Sequence, residues 1–228
     1  MKKIIILALL VVTTISAQSQ EVNKTPFFDT NKLIVEFSTG QAKGISPYTV
    51  GYYDASKFGT IVTNHINLGT RYMISPKFGV KLDFGYFKLN NNPGSKSKSF
   101  EVDAFTVGLQ GVINSARLFN IEKPLGKFNV LLHGGIQTSK LNSYNPNLPK
   151  KDNNLGLMFG FSPEFRLSKR ISFISDLTLV GNLKQFYTWD GNLANRSLNQ
   201  SSLLVYTSLG LSYSIAKNKI HCDWDEKK

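Results

Sequence analysis

Apolar side chains recur at every second residue over most of this chain, and this period constrains the fold more than any other feature. One stretch sets Phe78, Val80, Leu82, Phe84 and Tyr86 against Gly79, Lys81, Asp83 and Gly85. Period two is the repeat of a β-strand, whose successive side chains point to opposite faces of a sheet. The sequence therefore predicts an all-β protein whose strands have one bulky apolar face and one face of small or charged residues.

Eight segments carry this pattern: 32–43, 61–74, 78–89, 100–114, 127–139, 154–167, 171–183 and 203–217. All exceed the length of an ordinary globular strand, which is about five or six residues. A tilted strand needs roughly nine to eleven residues to cross a bilayer, so the lengths favour membrane-spanning strands. Pro163 cannot donate to a sheet ladder and predicts a bulge in the sixth segment.

The connections between these segments differ in length. Residues 75–77 and 168–170 are short turns, residues 115–126 are intermediate, and four connections are long: 44–60, 90–99, 140–153 and 184–202. Bacterial outer-membrane barrels have short periplasmic turns and longer external loops. An even number of strands then places both chain ends on the periplasmic side.

The small-residue face distinguishes a membrane barrel from a soluble β protein. In the sixth and eighth segments this face holds Gly156, Gly160, Ser208, Gly210 and Ser212. A narrow eight-stranded barrel has a crowded interior filled by side chains, which small residues suit. We therefore predict an eight-stranded antiparallel up-and-down transmembrane β-barrel over residues 32–217. A soluble lipocalin-like barrel, with the bulky face inside, is the alternative.

The N-terminus has the features of a secretory signal peptide. Lys2 and Lys3 precede an apolar run from Ile4 to Val12, and small residues end at Ala17. The run is too short to span a membrane as a helix. We expect residues 1–17 to be removed, residues 18–31 to form a short periplasmic segment, and residues 218–228 to form a periplasmic tail.

Charge and cysteine content narrow the classes of partner. The net charge is +12, but the basic residues scatter over connecting segments rather than along one face with stacking aromatics. This argues against nucleic acid and favours anionic lipid headgroups or polysaccharides. The expected partners are outer-membrane lipid and other outer-membrane proteins. The single cysteine, Cys222, excludes an intramolecular disulfide.

Seven charged residues share the small-residue face by parity, and we interpret them as a charge network inside the barrel: Glu36, Arg71, Lys81, Asp83, Glu164, Arg166 and Asp176. Four are acidic and three basic, so they can form near-neutral pairs, which burial requires. The network is interpreted as structural, with a gate that rearranges to open a narrow path as the alternative.

Candidate binding residues lie in the longest connection, residues 184–202. Its aromatic side chains, Phe186, Tyr187 and Trp189, are predicted to be exposed anchors for a partner. This connection makes a surface-binding protein or adhesin the alternative to a structural role.

The sequence contains no catalytic or metal-binding signature. Its histidines are His65, His133 and His221, without a Ser-His-Asp order or an HExxH motif. Asp54, Asp152 and Asp190 are scattered over three loops without a calcium-loop pattern. We expect no enzyme activity, cofactor or metal. A narrow channel and a small barrel enzyme that modifies lipid A, using His65, are further alternatives.

The chain resembles the transmembrane barrel of the OmpA family. Residues 210–224, GLSYSIAKNKIHCDW, are similar to the barrel exit of such proteins from Bacteroidetes-type bacteria, where a last strand passes into lysine-rich residues and a His-Ala-Asp-Trp motif. Cys222 stands in place of the Ala. The resemblance implies an integral outer-membrane protein with a structural or surface-interaction role. We predict a non-enzymatic protein with a structural role in the envelope, alone or as a subunit of a larger outer-membrane complex. We expect the peptidoglycan-binding domain usual in the family to be lacking.

Overall fold

A computed structural model describes residues 30–54, 63–91, 96–121, 125–144, 150–193, 200–215 and 222–224. The predicted signal peptide and most of the segment expected to follow it lie outside these residues. Only residues 222–224 of the predicted tail lie within them.

Eight strands form a closed barrel: β1 Leu33–Ser46, β2 His65–Met73, β3 Phe78–Asn90, β4 Glu101–Asn114, β5 Phe128–Ser143, β6 Lys150–Arg166, β7 Ile171–Gln185 and β8 Gln200–Ser214. Each strand pairs antiparallel with its neighbours in the chain, and β1 pairs with β8 to close the sheet. The predicted eight-stranded antiparallel up-and-down barrel is confirmed.

The remaining regular elements are short. A single-turn helix, α1 Ser115–Leu118, lies between β4 and β5, and 3₁₀ turns occupy Thr30–Lys32 and Cys222–Trp224. Within the described part of the chain, no helix is long and apolar enough to cross a membrane. We call the barrel end with residues 74–77 and 167–170 the turn side, and the opposite end the loop side.

Strands β5 and β6 extend further toward the loop side than the sequence predicts. Their ladder continues through Asn142 opposite Lys151 to Ser143 opposite Lys150. Polar residues there interrupt the apolar alternation, so the pattern ends at 139 and 154 although the backbone pairing does not.

The bulky face of the sheet points outward. Phe84, Phe105, Phe159 and Leu209 are exposed, whereas the alternating positions are buried inside the barrel. A continuous apolar surface around a whole barrel is foreign to soluble monomers. The soluble lipocalin-like alternative is wrong, because it requires the bulky face inside.

Inward glycines allow the backbones of neighbouring strands to approach closely. A Cβ atom built on Gly210 would collide with the carbonyl oxygen of Phe37 and would lie 2.6 Å from Cβ of Ser38. A side chain there would force β8 away from β1, so glycine at this position helps to close the barrel.

Pro163 interrupts one ladder without causing a bulge. The pairs between β6 and β7 pass from Phe161 opposite Leu177 to Glu164 opposite Ile174 with no change of register. Between these two pairs, residues 162 and 163 have no partner on β7, since proline lacks an N–H. The predicted bulge is wrong at this position.

Candidate functional site

Four charged side chains and one tryptophan close the turn-side end of the barrel interior, and we call this group the turn-side plug: Glu36, Arg71, Glu164, Asp223 and Trp224. Arg71 lies at its centre and is fully buried. Its Nε lies 2.7 Å from Oε1 of Glu36, its Nη1 lies 2.9 Å from Oδ2 of Asp223, and its Nη2 lies 3.9 Å from Oε1 of Glu164. One guanidinium thus faces three carboxylates.

The C-terminal 3₁₀ turn enters the barrel mouth. Asp223 pairs with Arg71, and Trp224 Nε1 donates to Oγ of Ser172 at 3.2 Å. The guanidinium of Arg166 lies 5.4 Å from the centre of the Trp224 ring, within cation–π range. Arg166 is therefore separate from the other predicted network residues and packs on the tail.

Residues 223 and 224 are interior residues that sequence reasoning missed. The tail lacks the alternation that places a side chain by parity, so we expected it to lie outside the barrel. The only signal was the Asp-Trp ending in the family resemblance.

Lys81 connects the turn-side plug to the middle of the barrel. Its Nζ lies 2.8 Å from Oε2 of Glu36 and 3.3 Å from Oδ1 of Asp83. Of the seven predicted network residues, five therefore form one cluster of ion pairs: Glu36, Arg71, Lys81, Asp83 and Glu164.

Asp176 joins this cluster through side chains that were not predicted to take part. Gln110 Nε2 donates to Oδ2 of Asp83, and Gln110 Oε1 lies 2.6 Å from Nδ1 of His133. His133 Nε2 in turn lies 2.9 Å from Oδ2 of Asp176. The same carboxylate accepts hydrogen bonds from Ser162 at 2.7 Å and from Thr178 at 2.6 Å. A polar cavity of about 40 Å³ lies among these residues, room for only a few water molecules.

Neither described histidine has a catalytic arrangement. Both ring nitrogens of His133 are occupied, by Gln110 and Asp176. His65 is buried and stacks on Tyr206, with 4.4 Å between ring centres. Ser162 donates to the carboxylate rather than to a histidine, so it lacks the contact that activates a nucleophile. Among the described residues, no three His, Cys, Asp or Glu side chains are grouped to hold a metal ion.

Apolar side chains close the loop-side end of the interior, and we call this group the loop-side core. Its members include Phe87, Leu89, Phe100, Val102, Leu141, Trp189, Leu204 and Tyr206. Trp189 is fully buried, packs edge-to-face on Phe87 and donates from Nε1 to the carbonyl oxygen of Ser46 at 2.9 Å.

The prediction that Trp189 is an exposed anchor is therefore wrong. Inward apolar residues at the loop-side ends of the strands surround a cavity, and the indole of Trp189 fills it. The segment that carries it is held to the first loop, where Asp190 accepts a hydrogen bond from the backbone N–H of Thr49 at 2.8 Å.

The other two predicted loop aromatics remain near the surface. Phe186 is 55% exposed and Tyr187 is half-buried. Oδ2 of Asp152 accepts hydrogen bonds from their backbone N–H groups at 2.8 Å and 3.1 Å. This carboxylate holds the start of the loop in place.

A polar cluster marks the loop-side edge of the apolar outer face. Asp103 points outward, yet it is only 7% exposed. It accepts hydrogen bonds from the hydroxyls of Tyr86 at 3.2 Å and Tyr144 at 2.9 Å, and from Nδ2 of Asn142 at 2.8 Å. The bond to this carboxylate raises the pKa of the Tyr144 phenol. Tyrosine hydroxyls at the edge of an apolar band are typical of a membrane–water interface.

Tyr48 should lower the free energy of unfolding of the barrel at alkaline pH. Burial, together with the carboxylates of Asp54 and Asp190, raises the pKa of its phenol. Above the unfolded-state pKa of about 10, the unfolded chain ionises this residue and the folded chain does not, so stability falls as pH rises. Tyr48→Phe should therefore reduce the loss of unfolding free energy between pH 9 and pH 11, measured by denaturant titration in lipid vesicles. An equal loss in the wild type and the variant would contradict this assignment, and Tyr53→Phe on the same loop is the control.

One of the comparisons with known proteins bears on the fold. No protein-family model matches the sequence, and no curated protein is similar to it. Among solved structures, Neisserial surface protein A is similar over 81% of this chain and 97% of its own, with 9% identity and a TM-score of 0.50. This chain has the fold of a small outer-membrane barrel. The N-terminal β-barrel domain of Pseudomonas aeruginosa OprF is similar over 80% of this chain and 96% of its own, with 10% identity and a TM-score of 0.47.

A third solved structure is a major outer membrane protein from Thermus thermophilus. The similarity covers 79% of this chain and 97% of that one, with 16% identity and a TM-score of 0.47. At such low identity the likeness concerns the fold alone.

Proposed function

We propose that this protein is a non-enzymatic integral barrel of the bacterial outer membrane with a structural role in the envelope. The observation that carries the proposal is an interior closed at both ends. The turn-side plug fills one mouth, the loop-side core fills the other, and linked polar side chains lie between them.

The outer face supports the membrane location. Exposed apolar side chains surround the barrel, and every strand pairs on both sides. A closed ladder leaves no unpaired sheet edge in hydrocarbon, which is the condition for β-structure to span a bilayer. The short turns at the end of the barrel where both chain ends lie support a periplasmic position for those ends.

The filled interior argues against a channel, and the histidine contacts argue against an enzyme. A conducting path would have to pass both Arg71 and Trp189, which are fully buried. The occupied nitrogens of His133 leave no general base for a hydroxyl nucleophile there.

Purified protein reconstituted in planar bilayers should show no steady single-channel conductance, because both mouths are filled. The sample must first show heat-modifiable migration on a gel, which establishes that the barrel is folded. A stable open channel in the wild type would overturn the structural proposal. Recovery of the protein in the soluble periplasmic fraction would overturn the membrane location.

Surface binding is the second candidate, because the loops present apolar side chains on an ordered support. Val50 is 93% exposed, and Phe186 lies on the loop held by Asp152. The backbone of Gly51 accepts a hydrogen bond from Lys98 N–H at 2.9 Å, which holds the first loop against the segment before β4. Val50→Ser combined with Phe186→Ser should abolish adhesion of expressing cells to host or matrix surfaces if this function is correct. Unchanged adhesion in a folded variant would exclude it.

A further inference from the structure

We propose that the turn-side rim of the barrel binds the headgroups of anionic phospholipids. This inference rests on the proposed membrane location. We call the surface the basic collar and define it by Lys77, Lys127, Lys169 and Arg170, which lie at the turns and in the connection after α1.

Within the part of the turn-side rim that the structure describes, basic residues outnumber acidic ones. The described residues of the rim are 30–32, 74–77, 115–121, 125–127, 166–170, 215 and 222–224. Seven of them are lysine or arginine, and one, Asp223, is acidic. Asp223 is buried and paired with Arg71, so it does not neutralise the surface. The accessible charge of this described rim therefore has a single sign.

Exposed apolar side chains alternate with these cations. Phe119 is 63% exposed beside Arg117, and Leu167 is exposed two residues before Lys169. Ile74 is exposed three residues before Lys77. A soluble acidic partner would match the charges but not the apolar side chains. A phospholipid monolayer matches both, since acyl chains take the apolar groups and long basic side chains reach the phosphates.

The opposite rim has a different character. On the loop side, Lys88 pairs with Glu101 at 2.8 Å, and the neighbouring carboxylate of Asp103 adds a second negative charge. Charges of both signs therefore meet the interface there. The contrast indicates that the turn side, and not the barrel as a whole, selects anionic headgroups.

A lysine or arginine near an anionic membrane surface contributes roughly a five-fold preference for it. Lys77, Lys127 and Lys169 are exposed and lie on three different connections. Each can therefore act on a separate headgroup, so the preference should appear in each of the first few bound lipids.

Native mass spectrometry of the full chain can test this proposal. The protein is released from micelles that hold equal amounts of phosphatidylglycerol and phosphatidylcholine with the same acyl chains. Among the lipids that bind first, we expect phosphatidylglycerol to outnumber phosphatidylcholine by about five-fold. Combining Lys77→Gln, Lys127→Gln and Lys169→Gln should lower this ratio by about two-fold or more, with Arg170 left in the collar.

The matched control combines Lys96→Gln, Lys140→Gln and Lys151→Gln, which remove the same charge from exposed loop-side positions. This variant should keep the wild-type preference. The proposal is overturned by an absence of preference in the wild type, or by equal losses in the two triple variants. It is also overturned if soluble polyphosphate displaces the bound lipid and binds the wild type more tightly.

Folding is checked separately by heat-modifiable migration in neutral phosphatidylcholine. Should the collar variant fail to fold, Lys127→Gln alone should still lower the preference, and an unchanged preference would overturn the proposal. A wild-type chain that does not insert into neutral lipid would instead refute the proposed membrane location.

Discussion

Replacing Arg71 with methionine should lower the free energy of unfolding of the barrel by about 3–5 kcal/mol, the cost of removing one partner from a buried ion pair. The guanidinium is the shared partner of Glu36, Asp223 and Glu164. Methionine fills much of the same space but leaves these carboxylates close together without it. Denaturant titration of the protein in lipid vesicles measures the change.

Arg166→Met is the matched control at the same barrel mouth. Arg166 is half-buried and packs on Trp224, so its loss should cost about 1 kcal/mol, the scale of a cation–π contact. Equal effects of the two substitutions would refute a central role for Arg71. Adding Asp223→Asn to Arg71→Met should restore part of the stability, because it removes one of the carboxylates left without its partner.

Replacing Trp189 with alanine should also lower the free energy of unfolding by about 3–5 kcal/mol, the usual cost of truncating a buried large aromatic residue. The indole fills the loop-side core and donates to the carbonyl oxygen of Ser46. Its removal leaves a cavity and a carbonyl group without this donor. The same denaturant titration measures the loss.

Phe186→Ala, three residues earlier in the same loop, provides the comparison. Its side chain is largely exposed, so the free energy of unfolding should change by no more than about 0.5 kcal/mol. A larger effect for Phe186 than for Trp189 would mean that the indole does not occupy the barrel mouth in the membrane.

The strands and their two faces could be predicted because the signal is local. Phe84 and Asp83 are neighbours in one strand, and the pleat alone sends one outward and the other inward. The same parity placed Glu36, Lys81 and Glu164 on the inner face. The strand ends were predicted less well. β5 ends at Ser143 rather than at 139, β6 begins at Lys150 rather than at 154, and β8 covers Gln200–Ser214 rather than 203–217.

The partners of these charged residues could not be predicted in the same way. Arg71 meets Glu36 because of the register between β1 and β2, but it meets Glu164 across the barrel and Asp223 from the tail. His133 lies on the inner face of β5 by parity, yet its link to Asp176 depends on the distance between β5 and β7 in the closed sheet.

The sequence by itself determined that the chain forms eight long strands, each with a bulky face and a small face. This was possible because a two-residue repeat depends only on neighbouring positions in the sequence. The tertiary structure alone decided what closes the barrel. Trp189 and Asp223 lie in segments without periodicity, and each occupies a mouth whose size and polarity exist only after the eight strands have closed. Parity assigns a side chain to a face, whereas filling a cavity depends on every strand that forms it.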